Sequence, residues 1–341
     1  MKNLNFIDKL VFLINSVVAL LLLLSYGLSY VPPKTFSFLS VLSLSVPVLI
    51  ILNMAFAIYW LIKLKKQLLL SVLVLGLGYN YVVSFYKFSS QTQVSDFSFS
   101  MMSYNVRLFN LYNSIKDDHI PEKIENFILD KSPSILCFQE YDSDTSLKFE
   151  LYPYSYITAN SSRYTSELAI FSKHKILNSA TIEFPKSSNN AIFSDVIVKT
   201  DTIRVYNLHL QSSGIDPNVE TLDSEQSNRL INRLAATFTA QQDQAELVAS
   251  HISKSPYKVI LCGDFNNTIY SYVYRIIKGD MLDAFEESGS GFGRTFIFKY
   301  FPFRIDFILA NAQIKVGKFS SFPELPYSDH FPIFTEFILE D

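Results

Sequence analysis

Lys258-Val259-Ile260-Leu261-Cys262-Gly263-Asp264-Phe265-Asn266 is a short apolar run that stops at a glycine and then presents an acid and an amide. Its length and β-branched residues mark it as a buried strand and not a helix. Taken alone, Asp264 and Asn266 are ordinary turn formers at a strand end. The same arrangement recurs along the chain, and the recurrence changes its meaning. Met102-Ser103-Tyr104 runs into Asn105-Val106-Arg107, Cys137-Phe138 into Gln139-Glu140, and Tyr206-Asn207-Leu208 into His209. Arg304-Ile305 precedes Asp306-Phe307, and Tyr327-Ser328-Asp329-His330-Phe331-Pro332 precedes the last apolar run. Polar ends of this kind after one β run after another point to chemistry, not to turns alone.

Outward from these motifs the pattern predicts strands at Phe99–Tyr104, Ser134–Phe138, Leu168–Phe171, Ala191–Lys199, Ile203–Leu208, Lys258–Leu261, Arg304–Leu309 and Ile333–Ile338. Helices lie between them. One starts near Ile120 with Pro121 in its first turn and shows Ile120, Ile124, Phe127 and Ile128 on one face. Another region, 224–253, holds one long helix or two shorter ones, with Ala245, Val248 and Ile252 inward. Strands mixed with helices over about 245 residues predict an α/β sandwich, two mixed sheets packed together with helices outside, four layers in all.

The first ninety residues follow another rule. Leu10–Pro33, Thr35–Ile62 and Gln67–Tyr86 each lack charge over a length that can cross a bilayer, so three transmembrane helices are expected. The first is too long for a cleaved signal peptide and no small-residue cleavage site follows it. Lys63, Lys65 and Lys66 cluster between spans two and three, which puts that loop in the cytoplasm and everything after about residue 89 outside it. With no ionisable residue in any span, the helices read as an anchor and not a transport path. The expected organisation is an anchor over 1–88, a Ser- and Gln-rich linker over 89–98 and a catalytic domain over 99–341. The implied location is a bacterial inner or plasma membrane, with the catalytic domain extracytoplasmic.

Charge divides at the same place. The first 95 residues carry seven Lys, one Asp and no Arg or Glu; subtracted from 29 basic and 32 acidic residues in the chain, they leave 22 and 31, a net −9. That acidity argues against gripping long nucleic acid by charge alone and suits an enzyme that holds divalent cations. Cys137 and Cys262 are the two cysteines, each within an apolar run, and read as buried strand residues.

The motifs YNVR (104–107), FQE (138–140), NLHL (207–210), GDFN (263–266), RIDFIL (304–309) and SDHFP (328–332) together resemble the endonuclease/exonuclease/phosphatase superfamily. That group includes pancreatic-type deoxyribonucleases, apurinic endonucleases, neutral sphingomyelinases and inositol polyphosphate 5-phosphatases, and the resemblance covers about residues 99–340. Two departures bear on substrate geometry: no glycine precedes the apolar run at Thr165-Ser166-Glu167-Leu168-Ala169-Ile170, and the segment from His209 to Asp264 is long and helix-rich.

The resemblance implies a Mg2+-dependent phosphoric ester hydrolase, with Mn2+ as the alternative ion. It implies Glu140, Asp329 and Asn105 as metal ligands, Asp264 as the group that orients or deprotonates the attacking water, and Asn266 as a phosphate donor or second-metal ligand. It implies His330 on the scissile phosphate, its imidazole held by Asp306, and His209 on the phosphate or the leaving oxygen. Arg107 is a weaker candidate for phosphate contact, equally readable as a solvated strand-end residue. Asp283 reads as structural, and His119, His174 and His251 as surface residues.

The first expectation for the partner is nucleic acid, hence a nuclease. A hydrolase of phospholipid or sphingolipid head groups or of inositol phosphates is the alternative, since an anchored domain lies beside lipid phosphates. An inactive membrane-bound binding protein is the reading from another class, opposed by competent residues at all matched positions. No obligate protein partner is evident. The aromatic loop Phe292–Phe303 lies close in sequence to Asp306 and touches either substrate or membrane, or is a plain hydrophobic hairpin.

Overall fold

The structure, a computed structural model, describes residues 4–88, 98–144, 147, 149–158, 167–214, 224–298 and 301–339. Nearly all of the expected linker, 89–97, lies outside these residues, as do Thr165 and Ser166, where the glycine is missing, and positions 299–300 of the aromatic loop.

The N-terminal part is helical: α1 (Phe6–Ser25), α2 (Ser37–Val41), α3 (Val46–Ile62), α4 (Leu68–Leu77) and α5 (Tyr79–Phe85). Two helices are long and apolar enough to cross a membrane, Phe6–Tyr30 and Ser37–Ile62. The third expected span is broken, with α4 and α5 bent by 83°. Gly78 sits at the break against the Tyr26 ring, where a Cβ would come within 2.0 Å of it. The first helix also begins before the charge-free run, so it includes Asp8, buried and bonded to Tyr59 and Lys63. Asn15 donates to Ser71 at 2.8 Å and accepts from Trp60 at 3.0 Å, which fastens α1 to α4 and α3 through groups that lipid leaves unsatisfied.

Beyond residue 98 the chain builds β1 (Phe99–Asn105), α6 (Ile120–Lys131), β2 (Ile135–Tyr141), β3 (Tyr154–Ile157), β4 (Glu167–Ser172), β5 (Ile176–Glu183), β6 (Asn190–Val198) and β7 (Asp201–His209). It continues with α7 (Ser224–Ile252), β8 (Lys258–Asp264), α8 (Tyr272–Lys278), β9 (Leu282–Asp283), α9 (Ala284–Ser288), β10 (Asp306–Ala310), β11 (Ile314–Ser321) and β12 (Ile333–Leu339). One sheet has the order β11-β12-β1-β2-β4-β3 and the other β5-β6-β7-β8-β10-β9. Each is mixed, with one parallel pair at its centre: β1 with β2, and β7 with β8. The helices α6 and α7 are the crossovers that parallel neighbours require.

Period-2 alternation assigns every central side chain to a layer. Met101, Ile135, Cys137, Ile203, Val205, Ile260, Cys262 and Ile308 meet between the sheets. Met102, Tyr104, Leu136 and Phe138 face outward beneath Ile120, Ile124 and Ile128 of α6. On the far side, Tyr206, Leu208, Val259, Leu261 and Phe307 pack under Ala245 and Val248 of α7 and Val273 and Ile277 of α8. Both cysteines are free and buried in the inter-sheet layer.

The helical part touches the sandwich through one of its ends. Lys34 donates its amide to Gln242 at 2.9 Å and its ammonium to Asp243, and Arg275 donates to the Ser29 carbonyl at 2.7 Å. Lys87 and Gly291 exchange two backbone hydrogen bonds of 2.9 Å. Tyr270 enters the core of the helices beside Ala19, Leu22, Val46, Ile50 and Val74.

Gly263 has φ +140°, and a Cβ there would lie 2.0 Å from the Leu208 carbonyl oxygen on the parallel neighbour. Gly263→Ala is expected to cost at least about 1–3 kcal/mol from backbone conformation alone. Thermal unfolding of the detergent-solubilised chain measures it, and an unchanged midpoint would show that β8 and β7 tolerate a side chain between them.

Candidate active site

The two parallel pairs end at the same edge of the sandwich. In register, His209 stands beside Asp264 and Asn105 beside Gln139. The antiparallel strand β10 begins with Asp306 opposite Asp264, and the chain passes Asp329 and His330 before entering β12 next to β1. Asn105, Gln139, Asn207, His209, Asp264 and Asp306 all share the inward parity of the inter-sheet core. The site is therefore the last layer of that core, where apolar side chains give way to polar ones. Glu140 has the opposite parity. A register shift between Phe138 and Tyr141 and a left-handed backbone at Glu140 (φ +48°) bring it in, the usual action of a bulge.

Asp264 is the centre of the arrangement and is 1% exposed. Its Oδ2 accepts from Asn105 Nδ2 at 3.0 Å and stands 3.6 Å from Nε2 of both His209 and His330. Its Oδ1 accepts from the Asn266 amide at 2.7 Å. Asn105 also donates to Glu140 Oε1 at 3.3 Å, while its own Oδ1 accepts from the Arg107 amide at 3.1 Å. A carboxamide between two carboxylates must turn its NH2 group toward both. Arg107 reaches Asp329 at 3.3 Å, and Ser328 donates to the Asn105 carbonyl at 2.9 Å, which ties the last loop to the end of β1.

His330 Nδ1 lies 3.0 and 3.1 Å from the two oxygens of Asp306. Burial alone would discharge this ring, but the carboxylates of Asp306 and Asp264 outweigh it and push the His330 pKa up to about 10. Burial raises Asp264 as well, with His330 and His209 opposing and Asp306 adding to the rise. His209 Nε2 is buried with no hydrogen-bond partner, 3.9 Å from Glu140 Oε1. Arg107, Glu140 and Asn266 all hold positive φ, between 47° and 48°. Backbone strain in non-glycine residues gathers at sites where the surrounding structure enforces it.

All nine residues singled out in the sequence thus meet in one place. Asp283 does not: it is buried away from them, accepts from Tyr274 and Arg304 at 2.7 and 2.6 Å and caps α9. His119 is exposed and His251 is half-buried, its Nδ1 meeting the Tyr206 hydroxyl at 2.8 Å under the second sheet. His174 is half-buried. Sequence reasoning passed over a supporting tier. Asn207 accepts from Gln139 at 2.6 Å and donates to the Phe138 and Ala169 carbonyls at 2.7 and 3.0 Å, so one side chain ties both sheets beneath the site. Thr295 Oγ1 accepts from the amides of Ile305 and Asp306 and fixes the latter. Their signal was position, since Gln139 and Asn207 lie inside two of the motifs.

Residues 102–330 match the profile of the endonuclease/exonuclease/phosphatase family. The chain belongs to this family. Residues 8–85 match a second profile, described as a domain of unknown function. No curated protein matches the chain. Among solved structures, D. rerio TDP2 complexed with a single-strand DNA product is 17% identical, with a TM-score of 0.53 over 70% of this chain and 98% of that one. The Bacteroides thetaiotaomicron mannosyl-6-phosphatase Bt3783 is 18% identical, with a TM-score of 0.51 over 71% and 100%. An endonuclease/exonuclease/phosphatase from Bacteroides vulgatus is 19% identical, with a TM-score of 0.53 over 71% and 99%. At these identities the likeness is one of fold.

Members of the endonuclease/exonuclease/phosphatase family are metal-dependent hydrolases of phosphoesters, and this site suits a hard cation. Glu140, Asp264, Asp306 and Asp329 face two imidazoles and the half-exposed Arg107, an excess of negative charge that burial makes costly. The donors are carboxylate and carboxamide oxygens, the preference of Mg2+ and Mn2+. Asp264, Asp306 and His330 also bring ligand atoms within 4.8 Å of one another, but a charged His330 with Nδ1 on Asp306 has no lone pair for an ion, which leaves Glu140 and Asp329 as the carboxylates free to meet one.

Asn207→Leu removes the acceptor of Gln139 and the donor to two carbonyls, and is expected to destabilise the chain by about 2–4 kcal/mol in denaturant titration. A loss below about 0.5 kcal/mol would show that this contact does not fasten the sheets.

Proposed function

We propose that this chain is a membrane-anchored, divalent-cation-dependent hydrolase of phosphodiester bonds, with residues 1–88 as anchor and 99–341 as catalytic domain. The observation that carries the reading is the convergence of Asn105, His209, Asp264, Asp306 and His330 on one buried layer, joined by Glu140 through a bulge. In this reading Glu140 and Asp329 would hold Mg2+ or Mn2+, joined by Asn105 once its carboxamide turned its oxygen from the Arg107 amide to the ion, and the ion would neutralise phosphoryl oxygens. Asp264, its carboxyl raised by burial, orients the attacking water and accepts its proton. His330, kept charged by Asp306, donates from Nε2 to a phosphoryl oxygen, and Asn266 adds a second donor. The unpartnered Nε2 of His209 serves the leaving oxygen, and Arg107 can exchange Asp329 for substrate phosphate.

Nucleic acid as substrate draws support from the single-strand DNA product in D. rerio TDP2, while Bt3783 is a sugar phosphatase by name. The extracytoplasmic location draws support from charge and contacts together. The sandwich is met by residues 29–34 and 81–87, whereas Lys63 pairs with Asp8 at the opposite end of the helices.

Glu140→Gln in the full chain is expected to lower the rate on bis-p-nitrophenyl phosphate on the order of 100-fold at limiting Mg2+. Chelation should abolish it and added Mg2+ restore it; an active chelated enzyme, or full activity of the variant, sinks the metal assignment. For topology, a reporter active only outside the cytoplasm, fused after Asp341, should give signal. Signal from a cytoplasm-only reporter at the same position would reverse the orientation.

A further inference from the structure

The catalytic groups open into a cleft of about 420 Å³ with two unlike walls. Glu140, Asp264, Asn266, Asp329 and His330 form one, and Leu230, Leu234, Phe238, Phe296 and Phe298 contribute to the other. Leu44, from the turn between α2 and α3, completes the apolar wall, so the membrane-anchoring part supplies a piece of the active-site cleft. No Lys or Arg is among the described lining residues. A groove for a nucleic acid strand needs cations along the backbone and exposed rings for stacking. This cleft has rings and aliphatic groups beside an acidic end.

A second cavity, about 490 Å³ and almost wholly apolar, lies against the membrane helices. Ile51 and Met54 of α3 and Val82 and Phe85 of α5 line it together with Phe292 and Phe301. Ile51 is 43% exposed on the outer face of the helices, the face an anchor turns to lipid. A small gap of about 30 Å³ borders both: it shares Phe85, Phe292, Phe301 and Pro302 with the second cavity and Thr268 and Phe303 with the first. Phe292, Phe301, Pro302 and Phe303 therefore set apolar surface between the flank of α3 and the cleft that holds His330.

We infer, on the reading of the chain as a phosphodiesterase, that its substrate is a membrane phospholipid, with the apolar part of the lipid in the Leu44–Leu230–Phe238 cleft and entry from the bilayer on the side of Phe292, Phe301 and Phe303. A lipid phosphodiester matches both walls at once: its phosphate meets the cation and His330, and its chains cover apolar surface otherwise left to water. The balance is that of hydrolysis: water adds to phosphorus, one P–O ester bond breaks, and the proton taken from water ends on the released alcohol.

The test uses the full chain in mixed detergent micelles with Mg2+. Its probes are phosphatidylglycerol, phosphatidylethanolamine and sphingomyelin, beside single-stranded DNA, RNA and bis-p-nitrophenyl phosphate. Cleavage of a lipid probe is expected. Leu230→Glu and Leu44→Trp, which change the apolar wall, should lower lipid kcat/KM at least 10-fold while the thermal unfolding midpoint stays within about 2 °C, which reports folding. DNA or RNA cleavage without lipid cleavage overturns the inference in favour of a nuclease. Cleavage of bis-p-nitrophenyl phosphate with no lipid probe cleaved also overturns it while the phosphodiesterase reading stands. Lipid cleavage untouched by both substitutions removes the cleft from the account. Silence on every probe removes the phosphodiesterase reading, and this inference with it.

Discussion

A carboxylate as buried as Asp264 is tolerated only where neighbours compensate it, and its neighbours come from both sheets. Asn105 arrives from one sheet, His209 from the parallel strand alongside, and His330 from the loop before β12. Each partner fixes a register: shift β7 against β8 by one residue and His209 leaves the inward face altogether. The sandwich must also close tightly at this edge, and Gly263 allows β8 to lie against the Leu208 carbonyl one residue before the acid. The polar layer of Gln139 and Asn207 underneath extends the same demand into the core. Stability and site geometry are thus set by one set of contacts, which is why the strained backbones of Arg107, Glu140 and Asn266 persist there.

The parts of the fold legible in the sequence are those buried on both faces. β2 and β8 carry unbroken apolar runs, Ile135–Phe138 and Val259–Cys262, because one parity fills the inter-sheet layer and the other the helix-facing layer. Their polar ends stood out against that background, so the site residues could be read as a group. The strands that went unpredicted lie toward the sheet edges: β3 and β5 have exposed residues, β9 is two residues long, and β11 alternates with Lys315 and Lys318 and carries Gly317. Composition also could not report the bend between α4 and α5, because Gly78 is as apolar as its neighbours and acts only by admitting the Tyr26 ring. Nor could it show that α1 takes in Asp8, whose partners Tyr59 and Lys63 lie fifty residues on in the chain.

The apolar wall of the cleft was illegible for another reason. Leu44, Leu230 and Phe298 are ordinary apolar residues in three distant segments, and nothing local distinguishes them from core. Proximity to Asp329 and His330 gives them meaning, and for Leu44 that exists only after the helical part has docked through Lys34, Arg275 and Lys87. The same docking makes Phe292 and Phe301, both in ring contact with Phe85, a boundary shared by the two parts of the chain.

Tyr270 sits in the core of the N-terminal helices, yet it is made long after them. At ordinary rates of synthesis, about 5–20 residues per second, the helices wait roughly 10–40 s between the completion of α5 and the arrival of this ring. During that interval the bundle has a slot among Leu22, Ile50 and Val74 with nothing from its own span of sequence to fill it. Formation of the helices and completion of their core are therefore separate events in time, and the second depends on a segment that belongs to the other part of the chain. An early stop in translation after residue 88 leaves a set of helices that is made but unfinished at its core.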